Sequence, residues 1–576
     1  MLKLFRYLNH FRMEVAMVLV FVFLQTLADL YLPTLMADIV DKGVTANDTG
    51  YIWKIGGFML VVSAVGVCCS VIASFFSAKT ASGFGKRLRE GMFRHAEHFS
   101  MQEFDKIGTA SLITRTTNDI TQVQQVLMMI LRMMVMAPMM CIGGIIMAVS
   151  KDAKLSLILV VVLPVLAGAI YGVVRKGIPL FKAMQVKLDK LNLVLREGLT
   201  GIRVIRAFDR TKHEAKRFDE ANTDLTETAV KVNKIMAVLM PLMMLVMNLS
   251  TVAIIAFGGM RIDNGSLEAG SLMAFIQYAM QIMFSLLMLS MLLVMVPRAQ
   301  ASAVRINEVL EMAPSMKDAP NAAEAAGLGQ GRVEFRDVTF HYPGAEQAAI
   351  SHISFNAGPG EVTAIIGGTG SGKSTLVGLI ARFYDTSDGS VLIDGQDVKQ
   401  MTQRSLRSRI GFVPQKAVLF TGTVTDNIRY GKEDATEEEV RRAAVIAQAD
   451  DFVTAMEQGY DSVIAQGGIN VSGGQKQRLS IARALVRKPD IYVFDDSFSA
   501  LDFKTDAKLR AALRPEIGQS TVILVAQRVS TVMDADRIIV LEEGLIAGIG
   551  NHRELMESCS VYREIVASQL SEEEIA

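Results

Sequence analysis

Six apolar runs fill the first half of this 576-residue chain, at about 15–40, 52–78, 127–150, 153–175, 236–259 and 270–296. Each is close to the ~20 residues that a helix needs to cross a hydrocarbon layer. Backbone N–H and C=O groups find no water in lipid, so a spanning segment must satisfy them internally. Each run is therefore read as a membrane helix. Composition agrees: hydrophobic residues make up 51% of the chain and mean hydropathy is +0.32, above what ordinary soluble domains carry.

The gaps between runs alternate long and short. The two long ones carry the cations: Lys79, Lys86, Arg87, Arg89 and Arg94 in the first, and Lys182, Lys187, Lys190, Arg196, Arg203, Arg206 and Arg210 in the second. Lys3, Arg6 and Arg12 precede the first run. The positive-inside rule then places both termini and both long gaps in the cytoplasm. Helical periodicity in the gaps predicts helices that continue well below the membrane. Met1-Leu2-Lys3-Leu4-Phe5-Arg6 reads as a short amphipathic segment before a retained first span, since no small-residue cleavage site follows the long run. Net charge is zero, which gives no support to a nucleic-acid partner. Cys68, Cys69, Cys141 and Cys559 show neither metal spacing nor a disulfide framework.

The expected organisation is a transmembrane domain over 1–312, a linker over 313–331 and a nucleotide-binding domain over 332–576. Ala313–Gly331 is rich in Ala, Gly and Pro and has no apolar period. Beyond it, Val333–Phe335, Val362–Ile366, Ser390–Ile393, Ile491–Phe494, Thr521–Ala526 and Arg537–Leu541 read as strands alternating with helical segments, an α/β domain.

Gly367-Gly368-Thr369-Gly370-Ser371-Gly372-Lys373-Ser374 fits the phosphate-loop pattern, between a strand and a helix that opens at Thr375. Glycines let backbone N–H groups converge on phosphates at a helix N-terminus. Lys373 is expected to reach the β- and γ-phosphates, and Ser374 to ligate Mg²⁺. Asp495 ends an apolar strand, where an acid holds Mg²⁺ directly or through water.

Further motifs resemble those of ATP-binding cassette transporters of the exporter type. Val471-Ser472-Gly473-Gly474-Gln475 is similar to the family signature, Gln415 to the Q-loop glutamine, Tyr342 to the aromatic that stacks on adenine, and Ser499-Ala500-Leu501-Asp502 to the D-loop. In the first half, Gly108–Arg115 with Asn118-Asp119, and Gly201–Phe208, resemble the exporters' intracellular loops. The resemblance implies six transmembrane helices followed by an ATPase cassette, ATP and Mg²⁺ as cofactors, and head-to-tail pairing of two cassettes. Each ATP then lies between one chain's phosphate loop and the other chain's Ser472, Gly473, Gly474 and Gln475. A half-machine of this kind needs a second half-transporter. It is expected in a cell membrane, such as a bacterial inner or plasma membrane, with its cassette in the cytoplasm.

Two positions depart from the pattern. Asp496 stands where the family has a catalytic Glu, and Gln527 where it has a His. Asp is one methylene shorter than Glu, and misplacement of about an ångström can cost roughly 10²-fold in rate. Gln527 can donate a hydrogen bond but cannot become a cation. The resemblance points to the heterodimeric subclass, in which one subunit has an impaired site and an intact signature while its partner carries the catalytic Glu and His. The alternative is a homodimer that hydrolyses slowly with Asp.

Methionines crowd the spans: Met128, Met129, Met133, Met134, Met136, Met139 and Met140 in the third, and Met236, Met240, Met243, Met244 and Met247 in the fifth. Flexible thioethers suit a surface that accepts many apolar partners, and equally suit plain packing. Asp29, Asn248, Gln277 and Gln281 are polar groups inside spans. They read either as lining a path or as interhelical glue. The expected activity is ATP-driven export of small amphipathic compounds, of multidrug type. Lipid flipping, peptide or metal-chelate transport, and an ATP-gated channel or sensor are the alternatives. Soluble cassette ATPases that act on DNA or ribosomes are excluded by the six spans.

Overall fold

The computed structural model describes residues 3–320, 322 and 329–570. Part of the expected linker, residue 321 and residues 323–328, lies outside the described residues. The chain divides into two compact units, one of Met1–Glu97 with Ala110–Met312, the other of His98–Thr109 with Ala313–Ala576.

Among the described residues, the first unit contains six helical stretches long and apolar enough to cross a membrane: Leu4–Val44, Thr49–Glu97, Thr109–Lys151, Leu157–Thr200, Thr211–Asp263 and Ala269–Glu311. All exceed the apolar runs, because polar periodic sequence continues each helix past its apolar part. The third stretch is not uniform: it passes through a π-helical segment, Arg115–Asp119, before Ile120–Lys151. Pro138, Pro164, Pro241 and Pro297 all lie inside helices. The first stretch packs on the second, the third on the sixth, and the fourth on the fifth. Packing is close where side chains vanish. A Cβ on Gly144 would sit 2.7 Å from Ile282 Cγ1, so only glycine lets the third and sixth helices approach this far.

Polar pins fix this packing. Asp41 accepts from the backbone N–H groups of Gly270 and Ser271, which open the sixth helix and have no partner within it. Tyr278 donates to the Leu30 carbonyl at 3.0 Å and pairs with Thr34 Oγ1 at 2.7 Å. Asp152 accepts from Arg261 Nε at 2.7 Å. Ser302 and Arg305 of the sixth helix both bond Asp119. Large apolar side chains such as Phe75, Val160 and Leu249 remain exposed on this unit, as lipid-facing surface requires.

Among the described residues the second unit has two main sheets and a two-stranded pair, Gly422–Thr423 with Val463–Ile464. The larger runs in the order Leu545–Gly550, Arg537–Glu542, Val362–Gly367, Thr521–Val525, Ile491–Asp495, Ile410–Val413. It is parallel except for its first, antiparallel strand. The smaller sheet, Ile350–Ala357, Val333–Phe340, Asp388–Ile393, Gln396–Asp397, is antiparallel. Val333, Phe335 and Ile353 of the small sheet, Ile365 and Val493 of the large one, and Leu376 of the helix Lys373–Ile380 share one apolar core. The sequence reading missed Ile350–Ala357, Ile410–Val413 and Leu545–Gly550. Leu545–Gly550 has no fully buried residue, and Ile350–Ala357 is bulged around His352, whose φ is +52°. The bulge breaks the alternation at the start of Ile350–Ala357, and Leu545–Gly550 alternates without a buried, strongly apolar face.

Candidate functional site

In an open parallel sheet, ligands bind beyond the carboxyl ends of the strands. Three neighbouring strands end together here: Val362–Gly367, Thr521–Val525 and Ile491–Asp495. Val525 pairs with Ile365 on one side and Asp495 on the other. The register alone therefore brings the phosphate loop, Gln527 and the Asp495-Asp496 pair to one edge.

The loop Gly368–Gly372 is a turn into the helix Lys373–Ile380. Gly372 has φ +94°, and a Cβ there would lie 2.5 Å from Ile350 Cγ2, so both backbone and space demand glycine. Lys373 Nζ donates to the Gly367 and Gly368 carbonyls at 2.9 and 2.6 Å. Burial holds its ammonium below the usual lysine range, against the pull of the Asp496 and Asp495 carboxylates. Gly368, Thr369 and Gly370 are exposed, and Ser371 is buried.

Ser374 Oγ donates to Asp495 Oδ1 at 3.1 Å. Neighbouring corners of an Mg²⁺ octahedron with ~2.1 Å bonds are about 3 Å apart, so this hydroxyl–carboxylate pair suits two ligands of one Mg²⁺, with phosphates and water supplying the rest. Burial pushes the Asp495 carboxyl above its ordinary range; the Ser374 bond and Lys373 oppose the rise and Asp496 adds to it. An ion would reverse that balance by favouring the carboxylate.

Asp496 sits beside it with φ +46°, and is buried. Its Oδ2 accepts from Gln527 Nε2 at 2.9 Å and from Gln415 Nε2 at 3.2 Å. The two departures from the family pattern thus touch each other, and the Q-loop glutamine joins them. Ser499 Oγ donates to the Asp496 carbonyl at 2.9 Å, and Arg528 Nη2 to the Ser499 carbonyl at 3.1 Å. Asp502 caps the helix Phe503–Ile517, accepting from Thr505 N at 2.9 Å. That backbone bond holds its carboxyl below the ordinary range.

Tyr342 is 38% exposed, and its hydroxyl lies 2.9 Å from Thr375 Oγ1 at the start of the loop helix. The signature opens another helix, Gly473–Leu485. Ser472 caps it in a reciprocal box with Gln475. Ser472 and Gly473 are exposed, and a Cβ on Gly473 would meet nothing within 4 Å. No hydrogen bond among the described residues joins this signature to the phosphate loop of the same chain.

In the membrane unit, Gln281 Nε2 donates to the Asp29 carbonyl at 3.1 Å, joining the first and sixth helices. Gln277 and Asn248 are exposed and not brought to either residue. Sequence reasoning missed Gln569. Its amide accepts from Val529 N at 2.8 Å and donates to the Gln527 carbonyl at 2.8 Å, bracketing the segment that carries Gln527. A glutamine near the C-terminus has no local pattern that marks it.

These features define a membrane-spanning chain with a phosphate-loop ATPase domain. The family description "ABC transporter transmembrane region" matches residues 15–286, and "ABC transporter" matches 350–499. The chain is 45% identical over 567 residues to an uncharacterized ABC transporter ATP-binding protein of Mycobacterium tuberculosis, covering 98% of this chain and 97% of that one. It is 38% identical to the uncharacterized ABC transporter ATP-binding protein YfiB of Bacillus subtilis, covering 100% and 99%. Among solved structures it resembles a bacterial Atm1-family ABC exporter with ATP bound, at 27% identity and TM-score 0.81 over 97% of this chain and 99% of that one. The chain belongs to the ABC transporter family, as an exporter-type half-transporter: a multi-pass membrane protein with a cytoplasmic ATPase domain.

Proposed function

We propose that this chain is the degenerate-site half of a heterodimeric ABC exporter of amphipathic compounds. Tyr342, the loop Gly367–Thr375 and Asp495 hold a Mg²⁺–ATP that turns over rarely. Ser472, Gly473, Gly474 and Gln475 complete a second ATP site whose Glu and His belong to a partner subunit.

The observation that carries this reading is the Gln527–Asp496 hydrogen bond at 2.9 Å. A general base must point its free oxygen at the attacking water. Asp496 is short, and one of its oxygens is claimed by two amides. Gln527, meanwhile, directs its donor to that carboxylate. The exposed signature glycine, which meets nothing in its own chain, supports the other half of the reading. The Met-rich spans support an amphipathic cargo, since polarisable flexible side chains adapt to varied apolar surfaces.

Purification of the chain alone and with a co-expressed second half-transporter tests this. The expected result is slow ATP hydrolysis alone and at least tenfold faster turnover in the complex. Brisk, cooperative hydrolysis by the chain alone would establish the homodimer instead.

A further inference from the structure

Gln569 closes the helix Ser560–Gln569. Tyr562 and Val566 of that helix are buried in one core with Ala526, Val529 and Val532. Tyr562, Val566 and Gln569 are spaced four and three apart, so they share one helix face. That face meets the segment between the strand Thr521–Val525 and the short helix Val529–Val532. The N-cap of the short helix, Arg528, is extended, at φ −99° and ψ 130°, and offers no side-chain cap. The first N–H of a helix has no partner within it, and Gln569 supplies one. Its Oε1 accepts from Val529 N at 2.8 Å, and its Nε2 donates to the Gln527 carbonyl at 2.8 Å. One side-chain amide thus bonds the two peptide groups that flank Arg528, as a residue of a neighbouring parallel strand would.

Gln527 is exposed. A long exposed side chain gives up rotamer freedom to hold one geometry, so its 2.9 Å bond to Asp496 Oδ2 depends on where its backbone sits. Gln569 grips the carbonyl of that same residue. Arg528 gives the segment a second anchor: its Nη2 bonds the Ser499 carbonyl at 3.1 Å, and its guanidinium lies over the Phe503 ring at 5.2 Å. We infer that Gln569 is a positioning residue for this chain's own ATP site, through which the helix Ser560–Gln569 sets how firmly Gln527 occupies the carboxylate at the base position. The inference rests on the proposed reading of the Gln527–Asp496 bond as a restraint on that carboxylate. Gln569 bonds Gln527 and Val529 and acts on Asp496 through Gln527 alone. The slowness of the site then has a source beyond the two positions that depart from the family pattern: a glutamine 42 residues further on keeps them together.

The test is single-turnover ATP hydrolysis by the two-subunit complex, with the partner's own catalytic Glu replaced by Gln so that the remaining rate belongs to this chain's site. Gln569→Ala should raise that rate by about two- to fivefold, the scale of one exposed hydrogen bond, with ATP affinity unchanged. Gln527→Ala should raise it equally, and the double variant no further, because both changes release the same contact. Hydrogen exchange of the peptide that holds Val529 should quicken in Gln569→Ala while the rest of the cassette keeps its protection. A rise in Gln527→Ala without one in Gln569→Ala would overturn the inference, as would additive rises, unchanged exchange at Val529, or a fall in rate and ATP affinity together. An unchanged rate in Gln527→Ala would refute the reading of Gln527 as a restraint, and the inference with it.

Discussion

Gln527 Nε2 lies 2.9 Å from Asp496 Oδ2, so the two positions at which this chain departs from its family's pattern are bonded to each other. They form one unit. Asp496 adopts φ +46°, a region where Asp is tolerated better than longer side chains. Gln527 then occupies one oxygen of the carboxylate that stands at the catalytic-base position.

Repair of the base should therefore need two changes. Asp496→Glu alone is expected to raise hydrolysis at this site by no more than about fivefold, since the Gln527 amide still holds the carboxylate at roughly 1 kcal/mol. Asp496→Glu with Gln527→His should gain on the order of 10²-fold. Single-turnover hydrolysis by the two-subunit complex, with the partner's own catalytic Glu replaced by Gln, reads both. A full gain from either single change would show that the pair is not coupled.

The signature makes a contrasting prediction. Gly473→Ala adds a methyl group that meets nothing in this chain, at a helix start where Ala is at least as favourable as Gly. Thermal stability of the isolated chain should stay within about 1 kcal/mol. ATP turnover by the complex should nonetheless fall by about 10²-fold, through misplacement against the partner's nucleotide. Matching losses of stability and turnover would place the effect inside this chain.

The Asp495 carboxyl is raised by burial, which sets a pH dependence. The folded state binds this proton more tightly than the unfolded chain does, so stability falls as pH rises from about 3.8 through the raised value, and stays lower above it. Asp495→Asn removes that charge. It should raise the apparent melting temperature of the nucleotide-free protein at neutral pH, while abolishing further stabilisation by Mg²⁺ over ATP alone. A melting temperature that drops in Asp495→Asn would contradict the burial argument.

Close helix packing predicts a rescue. Gly144→Val places a branched side chain where a single Cβ would already lie 2.7 Å from Ile282 Cγ1. Overpacking of this kind costs about 1–3 kcal/mol, visible as lower yield and melting temperature in detergent. Ile282→Ala in the same chain should recover most of the loss. Additive damage in the double variant would mean that the two helices do not meet there.

Much of this was readable beforehand, for physical reasons. Lipid forces helices on apolar runs, so the six spans are explicit in the sequence. The phosphate loop and Asp495 follow local patterns beside apolar strands. What stayed hidden depends on sheet order. Nothing in the sequence says that the strand before Gln527 lies between the strands of Gly367 and Asp495, and only that order brings Gln527 to Asp496. The Asp105–Tyr384 bond spans 279 positions, and Gln569 reaches Gln527 across 42. Neither leaves a mark on local composition. Gln277 and Gln281 share a helix and a spacing of four, yet only Gln281 is turned to Asp29, because burial on that helix is set by its neighbours.

The division of labour between the two ATP sites is tested most directly by steady-state ATP turnover of the two-subunit complex carrying Asp496→Ala. On the proposed reading, the partner then supplies the only complete Glu and His, and this chain supplies its signature. The account predicts turnover within about twofold of wild type, far from the ~10²-fold loss that a misplaced catalytic group produces. A loss on that larger scale would mean that Asp496 is a working base and that the two sites share hydrolysis.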